Sequence, residues 1–469
     1  MRGATEPLLL QEGERMKKHL SIDIETRSSV NIGSAGLYKY AQSDDFEILL
    51  FAYRIGEGAV QVIDLAQGEE IPKMVIEMLQ VREVVKHAYN AAFEWYCLNR
   101  AGYNTPLDQW KCTMAHALYC GYAAGLAATG NAIGLPEDKK KLSVGRALIR
   151  YFCVPCQPTK SNGGRTWNLP KHAPEKWKLF KEYNAQDVVS EYEILQRLNQ
   201  FPMPEEEERL WQLDVRMNAF GVRVDTGLIK GALYVDDVCR RELTEEAVRI
   251  TGLDNPNSTG QLLGWLQGNG VEADNVRKET VTAILDGQNP ENVSRVLEIR
   301  QQLGKTSVKK YTAMDNAKCE DERVRGLTQY YGANRTGRWA GRMVQMQNLP
   351  RNYLKTLDEA RYLVKTGNYA GLKLIYGNVQ DTLSQLIRTA FIPSEGHKFV
   401  VADFSAIEAR VIAWLAGEDW VNEVFAGDGK IYEATASQMF GVPKERIKKG
   451  NPEYSLRQKG KVATLALGY

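Results

Sequence analysis

The feature that most constrains the fold is a short alternating segment near the start of the sequence. Residues 20–25 read Leu-Ser-Ile-Asp-Ile-Glu, so apolar and polar side chains alternate. A period of two is typical of a β-strand, and it places the carboxylates of Asp23 and Glu25 on one face. A second apolar run, residues 47–55, predicts another strand, and strand and helix patterns then mix up to Pro202. These patterns predict an α/β domain at the start of the chain.

Composition sets the size class and limits the partners. The chain has 469 residues, of which 43% are hydrophobic and 25% are charged, and this predicts a globular protein of about three domains. The net charge of +2 gives no whole-protein attraction to nucleic acid or to a membrane surface. No apolar run approaches the roughly 18 residues of a membrane span, so we expect no membrane partner.

The cysteines raise one question about metal binding. All seven are spaced irregularly, which favours free thiols and a cytoplasmic location over a disulfide framework. Cys153 and Cys156 have the spacing of a zinc-binding pair, but the sequence has no matching second pair and His172 is the single further candidate nearby. Unligated thiols are therefore the preferred interpretation, with zinc as the alternative, and the Gly-rich segment 157–170 predicts a surface loop.

A break in composition predicts the main domain boundary near Pro202. The sequence there runs Phe-Pro-Met-Pro and then into four glutamates, which is typical of a loop followed by a helix start. Helical periodicity dominates residues 205–330, with a capping-box pattern predicting a helix start at Ser258. After a Gly/Arg-rich segment, residues 398–402 predict a buried strand, and helical patterns follow to the end.

Three further side chains extend the acidic pair into a candidate site. Taken alone, Asp23 and Glu25 favour an ordinary acidic surface. Two later segments change that interpretation, because Glu94 follows an apolar strand-to-helix segment, and Tyr183 and Asp187 lie four residues apart on one predicted helix face. Carboxylate oxygens ligate divalent cations, so the combined pattern predicts a metal site.

In their order and spacing these segments resemble the proofreading 3′-to-5′ exonucleases of the DEDDy type, which have an RNase H-like fold. The resemblance implies that Asp23, Glu25 and Asp187 ligate Mg²⁺ or Mn²⁺, that Glu94 holds a second ion and that Tyr183 orients the attacking water. Two such ions activate water and stabilise the leaving oxygen. The family usually has Asp where Glu94 stands, and we expect the extra methylene either to be accommodated or to slow the reaction.

A second candidate site lies near the end of the sequence. Asp403 follows the apolar segment 398–402 and precedes a predicted helix, where an aspartate is as typical of a helix cap as of a metal ligand. Further on, Arg457, Lys461, Leu465 and Tyr469 recur every four residues and form one stripe on a helix. A solvated face that merges into the core would produce this stripe. A site that binds a triphosphate with its cations and a base with its apolar end would produce it too.

Together these segments resemble family A DNA polymerases, of the bacterial DNA polymerase I type. The residues Asp-Phe-Ser-x-Ile-Glu-x-Arg from Asp403 match the palm motif, and the stripe matches the fingers helix. Leu465 replaces the usual Phe or Tyr, which should alter sugar discrimination and base stacking. The resemblance implies the following roles: Asp403 ligates the catalytic ions, Glu408 excludes a ribose 2′-hydroxyl, Arg457 and Lys461 bind the dNTP triphosphate, and Tyr469 supports the templating end of the nascent pair.

A basic segment predicts primer–template DNA as a partner. Residues 294–351 contain twelve lysines and arginines against five acidic residues, a net charge of +7 within a nearly neutral chain. Such a segment suits sequence-independent contacts to phosphates, although an ordinary solvated basic face is the alternative. The candidate DNA-binding residues are Lys305, Lys309, Lys310, Arg335, Arg338, Gln347 and Asn348.

The combined resemblance predicts a multi-domain α/β chain of a bacterial or phage-infected cell. Its expected parts are a flexible extension (1–16), an RNase H-like exonuclease domain (17–201), a helical thumb (202–333), a partial palm (334–412) and partial fingers (413–469). The sequence ends within the fingers helix, before the family's second palm carboxylate. We therefore expect that this chain alone does not polymerise DNA and that a second polypeptide supplies the rest. The alternatives are a free-standing exonuclease that grips duplex DNA and an inactive DNA-binding module.

Overall fold

The computed structural model describes residues 19–467, so the predicted N-terminal extension lies outside the described residues. The chain divides into two compact units, Met1–Ser394 and Glu395–Tyr469. We call their described parts the large unit and the small unit. The division falls inside the predicted palm, and the four domain boundaries drawn from the sequence stay predictions. None of the described helices combines the length and the apolar character that crossing a bilayer requires.

A five-stranded mixed sheet organises the first part of the large unit. Its order is β3-β2-β1-β4-β5, with β1 antiparallel to β2 and parallel to β4. The two strands expected from the sequence are confirmed as β1 and β2. The strands are β1 (His19–Arg27), β2 (Glu47–Ile55), β3 (Gln61–Ile63), β4 (Val85–Ala88) and β5 (Trp110–Cys112).

Helices cover both faces of this sheet. The apolar side chains of β1 are fully buried in one core, and the opposite face of β1, which carries Asp23 and Glu25, packs against the long helix α7. Burial on both faces explains why the acidic face is not the exposed surface that an isolated strand would present. The helices are α1 (Ile32–Ala41), α2 (Lys73–Gln80), α3 (Ala91–Arg100), α4 (Thr113–Tyr119), α5 (Leu126–Ala132), α6 (Gly145–Phe152) and α7 (Pro174–Leu198).

The rest of the large unit is mainly helical, as the periodicity predicts. Its helices are α8 (Glu205–Phe220), α9 (Thr226–Thr251), α10 (Thr259–Gly268), α11 (Lys278–Leu285), α12 (Glu291–Leu303), α13 (Lys309–Ala317), α14 (Leu357–Lys365), α15 (Tyr369–Tyr376) and α16 (Val379–Leu386). Two small antiparallel sheets of two strands each interrupt them: β6 (Val222–Arg223) pairs with β7 (Arg323–Val324), and β8 (Thr328–Ala333) forms a hairpin with β9 (Arg338–Gly341).

Local signals explain where the central helix α9 begins and ends. The Asp225 carboxylate accepts a hydrogen bond from the Leu228 backbone N–H at 3.0 Å, which caps the first turn. Gly252 ends the helix in the left-handed conformation, with φ of 68°. The helix start at Ser258 is also confirmed, but the Gln261 side chain accepts from the Asn255 backbone N–H instead of closing a capping box.

The small unit consists of α17 (Ile407–Ala416), α18 (Asp419–Ala426), α19 (Ile431–Phe440) and α20 (Leu456–Leu467). The prediction of a buried strand over residues 398–402 is wrong, because this segment is irregular and its Val400 and Val401 are 84% and 90% exposed. A strand needs a neighbouring strand to satisfy its backbone groups, and no described strand pairs with this segment. The apolar side chains of this segment therefore stay exposed, because no described strand pairs with its backbone.

The cysteines are free thiols throughout. Cys153 is buried in an aromatic core cluster with Phe152 and Trp177, while the Cys156 thiol donates to the Arg165 carbonyl at 3.3 Å. The zinc alternative gains no support from the described residues, since their one cluster of three metal-ligating side chains lies elsewhere.

Candidate functional site

Strand β1 and helix α7 bring the first set of candidate residues together. Asp23 and Glu25 lie two residues apart on the face of β1 that α7 covers, and Asp187 approaches them from α7. One oxygen from each of these three carboxylates lies within 4.8 Å of the others. The proximity of these three carboxylates, which the strand and helix spacings predict, is confirmed.

Hydrogen bonds from α7 position this cluster. Asn184 is completely buried, and its Nδ2 donates to the Asp23 carboxylate at 2.6 Å and to the Asp23 carbonyl at 3.2 Å. Burial, followed by the negative charge of the nearby Asp187, raises the pKa of Tyr183, so the phenol keeps its proton. Sequence reasoning missed Asn184, although it lies within the same motif, one residue after Tyr183.

Glu94 is buried at the same end of the sheet. It lies in the first turn of α3, outside the 4.8 Å cluster, and its Oε2 has no hydrogen-bond partner among the described residues. Burial raises the pKa of Glu25, and the negative charge of Glu94 adds a smaller contribution to that rise. Glu94 is therefore close enough to act on the cluster through its charge, but its carboxylate is not a fourth member of the cluster.

Burial of several carboxylates close together raises their pKa values, because their charged forms are less well solvated. Burial, followed by the charge of Asp187, raises the pKa of Asp23 to about 8. Burial likewise raises the pKa of Glu94 and Asp187 above their ordinary values. Glu191, one helical turn beyond Asp187, is a further buried carboxylate whose pKa burial raises to about 7. The four-residue spacing from Asp187 was a signal that sequence reasoning did not use.

A positively charged side chain, that of Lys141, also lies at this cluster. Lys141 Nζ forms an ion pair with Asp187 and lies 4.6 Å from the centroid of the Tyr183 ring. Lys141 belongs to the segment between α5 and α6, forty-six residues away from Asp187 along the chain. No motif spacing connects the two residues, so local patterns offer no means of placing this lysine.

In the small unit, a cavity of about 270 Å³ gathers part of the second set of candidates. Asp403, Glu408 and Leu465 line it, together with Tyr432. The close packing of α19 on α20 positions these walls, because a Cβ added at Gly460 would lie 2.2 Å from the Tyr432 carbonyl oxygen. Asp403 itself lies in the exposed irregular segment.

The cationic part of the stripe on α20 is arranged differently. Arg457 Nε donates to the Glu433 carboxylate at 2.8 Å, and the Arg457 guanidinium lies 5.3 Å from the centroid of the Tyr432 ring. Lys461 is half-buried on the same helix, and Tyr469 lies outside the described residues. Sequence reasoning did not foresee that an acidic residue of α19 would hold Arg457.

The predicted DNA-binding residues divide into two groups. Lys310 is used within the protein, because its Nζ donates to the Val344 carbonyl at 2.5 Å, and Lys305 forms an ion pair with Asp381. The others are exposed: Lys309, Arg335, Arg338, Gln347 and Asn348. The exposed group lies on or near α13, β9 and the turn that follows β9.

Comparison with known proteins identifies the family. A model described as DNA polymerase family A matches residues 238–469. A DNA polymerase of Bacillus phage SP02 is 54% identical over 454 residues, which cover 96% of this chain and 69% of the phage protein. The chain belongs to DNA polymerase family A. This confirms the family that the motifs at Asp403 and Arg457 predict.

More distant relatives show how much of a longer protein this family A chain matches. A thermostable DNA polymerase I of Thermus thermophilus is 30% identical over 255 residues, covering 52% of this chain and 27% of that protein. The POL domain of Pol1 from M. smegmatis, in complex with DNA primer-template and dNTP, is 16% identical and aligns with a TM-score of 0.57. That alignment covers 96% of this chain and 67% of the mycobacterial chain, so the two share a fold.

Proposed function

We propose that this family A chain combines a 3′-to-5′ exonuclease in its large unit with part of a nucleotide-addition site in its small unit. The observation that carries the proposal is the cluster of Asp23, Glu25 and Asp187, whose oxygens lie within 4.8 Å of one another. The order of the sheet, with an antiparallel pair joined to parallel strands, supports the RNase H-like assignment. The large unit would remove nucleotides from a DNA 3′ end.

The donor set fits Mg²⁺ or Mn²⁺. Asp187 Oδ1 and Glu94 Oε2 are buried and have no hydrogen-bond partner among the described residues, which is costly unless a cation satisfies them. Carboxylate oxygens are the ligands these hard cations prefer. In this proposal Asp23, Glu25 and Asp187 hold one ion, and Glu94 holds a second. When bound, such ions stabilise the negative charge that develops on the cleaved phosphate.

The chain's own residues supply positioning for this hydrolysis. Asn184 fixes the Asp23 carboxylate through its hydrogen bond, and the Tyr183 hydroxyl is held beside Asp187, where it can orient a water molecule. The partial burial of this site reduces the screening of these contacts by bulk water. Holding reacting groups in place accounts for a large part of catalysis in reactions of this kind.

For the small unit we propose a share in binding the incoming dNTP. Asp403 and Glu408 line the same cavity as Leu465, which supports a metal ligand, a sugar-discriminating residue and a base contact at one place. Arg457 and Lys461 would bind the triphosphate, because guanidinium and ammonium groups recognise phosphate oxygens. Tyr469 would support the templating end of the nascent pair. The mycobacterial neighbour is in complex with DNA primer-template and dNTP, and we extend both partners to this chain.

The proposal includes a second polypeptide that completes the palm. The observation in its favour is the exposed apolar segment 399–401, which has the composition of a buried strand and no strand partner among the described residues. Pairing this segment would fix Asp403 at the end of a strand. With segment 399–401 unpaired, we expect no polymerisation, and primer extension should appear when a polypeptide that carries the family's remaining palm strands is added.

One alternative function has an observation of its own. The carboxylate cluster is assembled entirely within the large unit, whereas Asp403 lies in an irregular exposed segment. This contrast favours an exonuclease with a DNA-gripping region as the activity of the chain when it is alone. An active nuclease without any gain of primer extension on adding palm strands would support this alternative.

A nuclease assay tests the central claim. The chain is incubated with Mg²⁺ and 5′-labelled single-stranded DNA, and we expect a ladder of shortened products. Asp23→Ala combined with Asp187→Ala should lower the rate on the order of 10³-fold, because the ligand cluster is lost. Asp274→Ala replaces an exposed aspartate of the large unit and should act like the unsubstituted chain. Absence of wild-type products would refute the exonuclease proposal.

A further inference from the structure

Lys141 contacts the carboxylate cluster although no motif contains it. Its Nζ forms an ion pair with Asp187 Oδ2, and its ammonium lies over the Tyr183 ring. The side chain is 27% exposed, so solvent shields the ammonium only in part. Its positive charge also lowers, in part, the raised pKa of Asp23 and of Glu25. One cation therefore acts on three carboxylates of the proposed nuclease site.

Hydrogen bonds from α7 anchor the chain on one side of Lys141. The Gln186 side chain donates to the Asp138 carbonyl at 3.0 Å, and the Ser190 hydroxyl donates to the Lys139 carbonyl at 2.8 Å. Both donors lie on α7 within one helical turn of Asp187. The backbone just before Lys141 is thus tied to the helix that carries its partner.

Close packing anchors the chain on the other side. Gly145, at the start of α6, lies so near Tyr183 that an added Cβ would be 2.1 Å from a ring carbon. Such an approach is possible only for glycine. The backbone is held in place both before and after Lys141. The position of its ammonium at the cluster therefore depends on the tertiary fold as well as on the conformation of the side chain.

We propose that Lys141 is a positioning residue of the nuclease site, whose ammonium neutralises Asp187 in the metal-free protein and competes with a divalent cation for that carboxylate. The inference rests on the proposed nuclease function. Asp187 Oδ1 remains without a hydrogen-bond partner among the described residues even while Lys141 holds Oδ2, so the carboxylate can accept a further cation. Lys141 then sets how much metal is needed to fill the site.

Metal binding measured by isothermal titration tests this inference without any turnover. Mn²⁺ is titrated into the full chain, and the variant Asp23→Asn with Asp187→Asn serves as the blank for ions bound elsewhere. Lys141→Gln should lower the Mn²⁺ dissociation constant about ten-fold, because one competing charge is removed from a partly exposed site. Lys141→Arg keeps the charge and should leave the dissociation constant near that of the unsubstituted chain.

A neighbouring lysine gives a matched control. Lys140 forms an ion pair with Glu137 at 2.5 Å and is exposed to a similar extent, so Lys140→Gln removes the same charge from the same segment. It should not change Mn²⁺ binding at the cluster. If Lys141→Gln binds Mn²⁺ with unchanged or weaker affinity, the inference is overturned. If the unsubstituted chain binds no more Mn²⁺ than the blank, the proposed nuclease site itself fails.

Thermal melting supplies a second measurement. In EDTA, Lys141→Gln should melt at a lower temperature than the unsubstituted chain, because the buried carboxylates lose a neutralising charge, and saturating Mn²⁺ should remove the difference. If Lys141→Gln does not fold, Lys141→Met keeps the apolar stem over Tyr183 and replaces it in both measurements. A melting difference that persists in saturating Mn²⁺ would indicate a purely structural role and would overturn the inference.

Discussion

The two candidate sites of this chain differ in how completely the chain builds them. In the large unit, the carboxylates of Asp23, Glu25 and Asp187 are buried or half-buried and lie close together. Asn184 donates a hydrogen bond to Asp23, and Lys141 forms an ion pair with Asp187. In the small unit, Asp403 lies in an irregular segment whose apolar neighbours face solvent. The difference shows that a motif can be intact in sequence while its geometry depends on strands that the motif does not contain.

The largest expected difference between the two regions is in local stability. Phe399 and Phe404 are 51% and 79% exposed in backbone that no strand or helix protects, so limited chymotrypsin should cut between residues 399 and 404 before it cuts β1 or α7. Mass spectrometry of the first fragments checks this. First cleavage within residues 19–198 would show that the large unit is the less stable of the two regions. Protection of residues 399–404 on adding palm strands would show that strand pairing stabilises this segment.

The second prediction concerns the pH dependence of stability in the large unit. Asp23 has a pKa of about 8 in the folded chain against an ordinary value of 3.8. Between these values the folded state keeps a proton that the unfolded state has released, so the free energy of unfolding of metal-free protein falls as pH rises through this window. In EDTA, the melting temperature should therefore be several degrees lower at about pH 8.5 than at about pH 5.5.

A single substitution provides the control for this pH effect. Asp23→Asn removes the group that takes up the proton, so its melting temperature should depend less on pH over the same range. Differential scanning calorimetry at matched ionic strength measures both proteins. An equally steep fall in the Asp23→Asn variant would assign the pH dependence to other groups, such as Glu191, whose pKa is raised to about 7.

The residues of the first site that are predictable from sequence are those whose relation is set by short spacings along the chain. A period of two identifies Asp23 and Glu25, and a spacing of four identifies Tyr183 and Asp187, because strand and helix geometry fix these relations locally. Lys141 escapes such patterns, since its contact with Asp187 depends on a loop that the tertiary fold anchors to α7. Local periodicity therefore predicts the clustered acidic residues, but not the lysine that neutralises part of their charge.

The strand wrongly predicted over residues 398–402 shows that a local apolar pattern does not by itself determine whether a strand forms. Its apolar composition is typical of a strand covered on both faces. Strand formation nevertheless depends on partners at other places in a sheet, which no local pattern supplies. The motif around Asp403 is therefore recognisable from sequence, while the position of its carboxylate is not.

The smallest expected effect concerns the ion pair that holds Arg457. Glu433 accepts a hydrogen bond from Arg457 at 2.8 Å, and a dNTP triphosphate would have to compete for the same guanidinium. Glu433→Gln should therefore tighten Mg²⁺–dNTP binding two- to five-fold, corresponding to about 0.5–1 kcal/mol for a partly exposed pair. Isothermal titration measures this, and Glu453→Gln, which breaks the ion pair with Arg446 in the same unit, should leave the affinity unchanged. Unchanged or weaker binding in Glu433→Gln would mean that Arg457 is not available to the triphosphate even when released. The small unit would then be incomplete in its phosphate site as well as at Asp403.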